Sequence, residues 1–73
     1  MIKAPLTYHS PEHIYQYLFD NIGPLYMLIK NGGVIITFAT PEHTQKALDA
    51  YNNANLAGFP LQLTPYYEGN MSN

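Results

Sequence analysis

The chain has 73 residues, no cysteine and a formal net charge of −2 at pH 7, and its only strong bases are three lysines. A chain of this length is expected to form one domain near the lower size limit for folding without disulfides or metals, and the missing cysteines exclude a disulfide framework, a thiolate nucleophile and a cysteine-based zinc site. No apolar run reaches the roughly 18 residues of a membrane span; with no signal peptide, this favours an intracellular protein, nuclear or cytoplasmic.

Residues 2–8 are predicted to form a first strand, although Pro5 has no N–H to donate to a ladder. A helix should then begin at Pro11, because Ser10 supplies a capping hydroxyl and Glu12 complements the helix dipole. Gly23-Pro24 should end the helix. Its apolar stripe, which we expect to face the core, consists of Ile14, Tyr15, Leu18, Phe19 and Ile22.

The start of this helix also spells H-x-x-E-H over residues 9–13, which is a zinc-protease pattern. Such a site needs both histidines on one helical face, but the residue before Pro11 is kept out of the helical region. His9 should therefore lie outside the helix, with no third ligand or cleft available. We expect no metal, no cofactor and no catalysis, and solvated surface positions for His13 and His43.

Leu25–Lys30 is predicted to be the second strand, and Asn31-Gly32 is a strong signal for a type I′ hairpin turn. Residues 33–39 should form the returning strand. A two-residue turn sets the register, which pairs Lys30 with Gly33, Leu28 with Ile35 and Tyr26 with Thr37.

A second helix should begin at Pro41, where Thr40-Pro41-Glu42 repeats the signal of the first helix. Its apolar stripe is expected at Thr44, Ala47, Leu48 and Tyr51. After Asn52-Asn53 and a turn at Gly58, residues 61–64 alternate as a last strand closed by Pro65. Residues 1–67 would then be one domain, and residues 68–73 a disordered tail.

These elements give the order β-α-β-β-α-β. We predict an α+β, ferredoxin-like sandwich, in which a four-stranded antiparallel sheet carries two helices on one face. The same helix-start motif occurs in both β-α-β halves, as Ser10-Pro11-Glu12-His13 and as Thr40-Pro41-Glu42-His43.

Two segments match a known family. Tyr15, Leu18, Phe19, Ile22 and Gly23 are similar to the family pattern L-x-x-L-F-x-x-F-G, and residues 36–63, ITFATPEHTQKALDAYNNANLAGFPLQL, are similar to its third strand, second helix and fourth strand. Over residues 2–67 the chain resembles an RNA recognition motif domain, and it would be an atypical member. In the family's third-strand octapeptide, the basic residue is replaced by Asn31, and the two base-stacking aromatics by Gly33 and Ile35.

The predicted register divides the side chains of the sheet between two faces, because successive residues of a strand alternate. Leu25, Met27, Ile29, Val34, Ile36 and Phe38 share one face and should lie under the helices. The opposite, open face should carry the candidate binding residues, which are Tyr26, Leu28, Lys30, Ile35, Thr37, Gln62, Thr64 and Tyr66.

The resemblance implies weak binding of single-stranded RNA by this face, with bases stacking on Tyr26 and Tyr66 and one lysine, Lys30, nearby. The alternative is recognition of a protein, including a second copy packed sheet to sheet through Leu28 and Ile35, because the face has an apolar centre and little charge. Under the RNA hypothesis the chain is expected to be one domain of a larger RNA-associated protein. Neither hypothesis involves a small-molecule substrate or membrane contact.

Overall fold

A computed structural model describes residues 1–67, and the predicted tail at residues 68–73 lies outside the described residues. The described chain contains strands, two helices and a π-helical turn that continues the second helix. In chain order they are β1 (Ile2–Pro5), α1 (Pro11–Asn21), β2 (Leu25–Lys30), β3 (Gly33–Phe38), α2 (Pro41–Lys46) with its π-helical turn (Ala47–Tyr51), β4 (Ala54–Leu56), β5 (Phe59–Leu61) and β6 (Thr64–Pro65).

Strands β2, β3, β1 and β6 form one sheet in that spatial order, and each neighbouring pair is antiparallel. Strands β4 and β5 form a separate two-stranded antiparallel hairpin. The predicted α+β class, with two helices and a four-stranded antiparallel sheet, is confirmed.

The β2–β3 hairpin has the predicted register, with Lys30 opposite Gly33, Leu28 opposite Ile35 and Tyr26 opposite Thr37. Residues Asn31 and Gly32 both have positive φ values, of 50° and 76°. Two positive φ values define a type I′ turn, whose twist matches that of the flanking strands.

Both predicted helix starts are also confirmed. The Ser10 hydroxyl accepts a hydrogen bond from the His13 N–H at 3.2 Å, and the Thr40 hydroxyl accepts one from the His43 N–H at 3.2 Å. In each helix proline occupies the first turn, where its missing N–H costs nothing. The chain therefore enters each helix by the same local chemistry.

The hydrophobic core lies between the helices and one face of the sheet. Its buried members come from β1, α1, β3, the π-helical turn and residues 61–63, and they are Ile2, Ala4, Ile14, Leu18, Val34, Ile36, Phe38, Ala47, Leu61 and Leu63. Residues of α1 and of the π-helical turn that continues α2 join this one cluster, so both helical segments cover the same face of the sheet and leave the other face without a helix.

The prediction for the last strand is wrong. Residues 59–61 pair with β4, and the strand that joins the large sheet is Thr64–Pro65, where Pro65 lies opposite Ile2. Proline is tolerated there because β6 is an outer strand of the sheet. Continuing the register of β6 would place Gln62 opposite Pro5, which has no N–H to donate, and pairing ends before that point. The first strand, predicted over residues 2–8, also ends at Pro5.

The stripe predicted for α1 is partly wrong. Ile14 and Leu18 are buried, but Tyr15 and Phe19 are 37% and 41% exposed, and their rings stack with centroids 5.9 Å apart. Tyr17 packs against the core instead. At 100° per residue, positions 15 and 17 lie on opposite flanks of a stripe centred on Ile14 and Leu18, each about 80° from its centre. Tyr17 is on the flank that contacts Tyr51 of the π-helical turn.

Candidate functional site

The face of the sheet that carries no helix is the open sheet face. Strand pairing places its side chains in rows across β2, β3, β1 and β6. Leu28, Ile35, Lys3 and Thr64 form the central row, flanked by a row with Tyr26 and Thr37 and a row with Lys30 and Gly33.

Tyr26 and Leu28 give the open sheet face its exposed apolar surface. The Tyr26 side chain is 68% exposed and the Leu28 side chain is 44% exposed. Ile35 lies between them and β1, but it is only 5% exposed because strands flank β3 on both sides. Ile35 therefore packs beneath the exposed side chains and contributes little accessible surface to a ligand. A small depression of about 100 Å³ is lined by Met1, Tyr26, Leu28, Lys30, Ile35 and Thr37.

Lys3 lies on the open sheet face, opposite both Ile35 and Thr64. The sequence interpretation placed only Lys30 there, so it missed half of the positive charge of this face. The alternation in β1 is a signal that was available, since Ile2 and Ala4 are buried while Lys3 and Pro5 are exposed. Two of the three lysines of the chain thus point away from the helices.

Acidic residues occupy the other side of the molecule. Within residues 1–67, all four carboxylates lie on helical elements: Glu12 and Asp20 on α1, Glu42 on α2 and Asp49 on the π-helical turn. Among the described residues, the open sheet face carries lysine and no carboxylate. Within residues 1–67 the carboxylates are therefore confined to the helical side, whereas lysines lie on both sides of the sheet.

Of the three candidate binding residues near the last strand, Thr64 and Tyr66 lie on the open sheet face and Gln62 does not pair in the sheet. Thr64 lies in β6, and its hydroxyl donates to the Lys3 carbonyl at 3.3 Å. The Tyr66 N–H donates to the Met1 carbonyl at 2.9 Å, which continues the β1–β6 register by one pair and puts Tyr66 on the same face as Met1 and Thr64. Gln62 is exposed between two buried leucines, but it precedes β6 and is not paired in the sheet.

His9 has a structural position that sequence reasoning did not anticipate. It precedes α1, as predicted, but its side chain is buried and 8% exposed. Its Nε2 atom lies 2.9 Å from the Leu56 carbonyl oxygen and 3.2 Å from the Phe59 carbonyl oxygen. An Nε2–H group at this position can donate to both acceptors, so His9 connects the β1–α1 loop to the β4–β5 hairpin.

An aromatic pair lies beside this connection. The rings of Tyr8 and Phe59 stack with centroids 4.6 Å apart and planes inclined by 4°. Both side chains remain substantially exposed, at 60% and 45%. No local pattern in the sequence indicates this contact, because it depends on how the hairpin folds back on the loop.

The prediction that His43 is a solvated surface residue is wrong. His43 is half-buried, and its Nδ1 atom is buried without a hydrogen-bond partner within the described residues. A Cβ atom at Gly23 would lie 3.6 Å from the Cε1 atom of His43, so the ring packs against the turn between α1 and β2. His13 is exposed, as expected.

Residues 1–67 contain no group of three or more His, Asp or Glu side chains with the spacing of a metal site. In the same range, no helix is both long and apolar enough to cross a membrane.

Comparison with known proteins gives no assignment: no family model matches the chain, and no match is found among curated proteins or among solved structures.

Proposed function

We propose that the chain is a non-catalytic module that binds single-stranded RNA weakly through the open sheet face, as one domain of a larger RNA-associated protein. The observation that carries the proposal is the exposed Tyr26 ring, which lies on a face with two lysines and, within residues 1–67, no carboxylate.

The proposal assigns the chain to the RNA recognition motif fold. In this assignment β1, β2, β3 and β6 are the four strands of a β-α-β-β-α-β ferredoxin-like arrangement, and the β4–β5 hairpin is an addition before the last strand. The sheet order β2-β3-β1-β6 and the placement of both helices on one face support the assignment. The local patterns in α1 and over residues 36–63 also support it, while β3 lacks the two base-stacking aromatics of the family, which are replaced by Gly33 and Ile35.

Charge segregation favours an anionic ligand on the open sheet face. Lys3 and Lys30 each offer an ammonium group to a phosphate, while the carboxylates on the helices lie across the sheet. A net charge of −2 keeps the total attraction to RNA small. We therefore expect weak binding, with Kd above about 100 μM for the isolated chain. Neighbouring domains in a longer protein would strengthen it through effective concentration.

Stacking of RNA bases on aromatic side chains is expected to contribute more to binding than the two lysines do. An aromatic ring on an open sheet accepts a base face to face, and each such contact is worth about 1–3 kcal/mol. Tyr26 is the most exposed ring of the large sheet. Tyr66 adds a second ring at the β1–β6 side of the same face, where it is half-buried.

The test is a nitrogen–proton NMR titration with short single-stranded RNA pools at low salt. We expect resonances of β1, β2 and β3 to shift, and the variant Tyr26→Ala to weaken binding about tenfold or more while keeping the folded spectrum. Tyr67→Ala is the matched control, because Tyr67 is 78% exposed and lines a surface with residues of α2. Wild-type shifts retained in Tyr26→Ala would contradict the proposed stacking.

A second candidate is protein recognition by the same face, including a second copy packed sheet to sheet. The observation in its favour is that the adjacent Tyr26 and Leu28 side chains expose apolar surface, as the centre of a protein interface does. If no sheet resonance moves at a near-millimolar RNA concentration, the RNA proposal fails and this candidate takes its place.

A further inference from the structure

Strand β2 is an outer strand of the large sheet. One of its sides pairs with β3, and its other side has no strand partner among the described residues. Such a side presents unpaired N–H and C=O groups, which are a template for another extended chain. The chemistry of this edge therefore selects a polypeptide strand as its partner.

The residues that supply these groups follow from the hairpin. In a two-residue turn the flanking residues, Lys30 and Gly33, exchange hydrogen bonds with each other. Alternate residues of β2 then also direct their backbone groups toward β3. The remaining three, Leu25, Met27 and Ile29, direct theirs outward from the sheet.

Strand β2 lacks the features that usually block pairing at an edge. Outer strands are commonly protected by charge, proline, a bulge or short length. Leu25–Lys30 is six residues long, pairs without a bulge, and is uncharged until Lys30 at its end. By contrast, the opposite outer strand, Thr64–Pro65, has two residues and contains proline.

Apolar side chains also flank this edge on the helix-covered side. Tyr17 contacts Tyr51 and so marks the flank of α1 that faces the π-helical turn. At 100° per residue, Tyr15 and Phe19 fall on the other flank of α1, toward β2, against which α1 packs. On β2 itself, Ile29 is directed to this side of the sheet and is 62% exposed.

Exposed apolar surface is therefore concentrated here. Of the nine large hydrophobic side chains exposed among the described residues, five border the β2 edge, and these are Tyr15, Phe19, Tyr26, Leu28 and Ile29. Two of these side chains lie on the open sheet face and three on the helix-covered side, so exposed apolar groups flank the β2 edge on both faces. Clustering of this kind marks an interaction site more often than scattered single residues do.

We propose that a second copy of the chain pairs with the β2 edge, antiparallel and about a two-fold axis at Met27. This register places Met27 opposite Met27 of the second copy, Leu25 opposite Ile29, and Tyr26 opposite Leu28. All outward backbone groups of β2 are then paired, and every cross-strand pair is apolar on both sides.

The uncharged, apolar run of residues 25–29 favours a second copy as the occupant, because it pairs with itself in this register without opposing like charges. Each pair joins residues of the same face, so the two sheets become one eight-stranded sheet with all helices on one side. Lys30 falls beyond the apolar pairs, opposite Pro24 of the second copy, so no like charges are opposed. The strand is self-complementary, as an interface between identical subunits requires.

Site-specific cross-linking tests the register, because the chain has no cysteine of its own. In the proposed dimer the two Cα atoms at position 27 lie about 5.5 Å apart, within disulfide range. Under mild oxidation Met27→Cys should form a disulfide-linked dimer. Ile29→Cys is the matched control, because its counterpart lies four residues along the strand, about 14 Å away.

We expect Met27→Cys to cross-link about tenfold faster than Ile29→Cys in the native state. The two rates should be equal in denaturant, where no register exists. A mixture of Leu25→Cys and Ile29→Cys chains should also cross-link, because these positions face each other. Equal native rates for Met27→Cys and Ile29→Cys would overturn the proposal.

Sedimentation of the unmodified chain gives a second readout that does not depend on any substitution. The weight-average mass should rise with concentration toward that of a dimer. Met27→Pro removes an outward N–H without removing a β2–β3 hydrogen bond, so it should keep the chain folded and monomeric. A wild-type chain that stays monomeric up to about 1 mM would overturn the proposed self-pairing. The partner of the β2 edge would then have to be a strand of another protein.

Discussion

At the scale of single residues, His9 has a structural role that its sequence pattern does not indicate. The sequence places it in an H-x-x-E-H pattern, and Pro11 keeps it out of the helix. The fold then buries the ring and directs Nε2 to two carbonyl oxygens of the β4–β5 hairpin. The histidine thereby joins the hairpin to the loop before α1.

The variant His9→Ala should lower the free energy of unfolding by about 1–3 kcal/mol, because two acceptors lose their donor and the ring leaves a void. Urea denaturation measures the change. His13→Ala is the control: its side chain is exposed and makes no hydrogen bond within residues 1–67, so its effect should stay within about 0.5 kcal/mol. Equal effects of the two substitutions would mean that the His9 contacts contribute nothing.

At the scale of secondary-structure elements, two neighbouring glycines have different roles in the β2–β3 hairpin. Gly32 has a φ of +76°, and a Cβ atom added there would meet no atom within 4 Å, so it serves the turn through its backbone conformation. Gly33 lies in β3, where a Cβ atom would approach the Ala4 carbonyl oxygen to 2.8 Å. The close pairing of β3 with β1 therefore excludes an aromatic ring at position 33, where the RNA recognition motif pattern has one.

The variant Gly33→Ala should destabilise the chain by about 1–3 kcal/mol, because β1 and β3 must move apart. In thermal unfolding this corresponds to a fall in Tm of about 4–8 °C per kcal/mol for a domain of this size. Gly32→Asn serves as the control, since a Cβ atom there meets no atom within 4 Å and asparagine adopts positive φ at less cost than most residues. A Gly33→Ala chain as stable as Gly32→Asn would show that the strands adjust without cost.

At the scale of the whole molecule, charge is divided between two sides of the sheet. Lys3 and Lys30 lie on the open sheet face, while the four described carboxylates and Lys46 lie on helical elements. A net charge of −2 hides this division. The charged side chains on the open sheet face among residues 1–67 are thus opposite in sign to the net charge of the chain, which favours the approach of an anionic ligand to this face.

Salt dependence measures the charge that RNA contacts. Two lysines that each neutralise one phosphate predict a slope of log K against log salt of about −1.4 for single-stranded RNA. Lys3→Gln should reduce the slope to about −0.7. Lys46→Gln should leave it unchanged, because Lys46 lies on α2. If Lys3→Gln binds with the wild-type slope, phosphate does not contact this part of the face.

Local features of the fold were predictable because they depend on residues close together in the chain. The capping hydroxyls of Ser10 and Thr40 and the Asn31-Gly32 turn each act within a few residues, and each was placed correctly. The hairpin register followed from the turn. That register also assigned the side chains of Tyr26, Leu28, Lys30 and Thr37 to one face.

The sequence by itself determined where the helices begin, how β2 pairs with β3 and which side chains of that hairpin share a face, because neighbouring residues set these features. Only the tertiary structure decided that β6 comprises residues 64–65, that Lys3 joins the open sheet face, and that His9 is tied to the β4–β5 hairpin. Each of these features depends on segments far apart in the chain. Which of those segments pair is determined by how much apolar surface they bury and how many backbone hydrogen bonds they form together. The outer position of β2, from which the proposed self-pairing follows, is a property of the same kind.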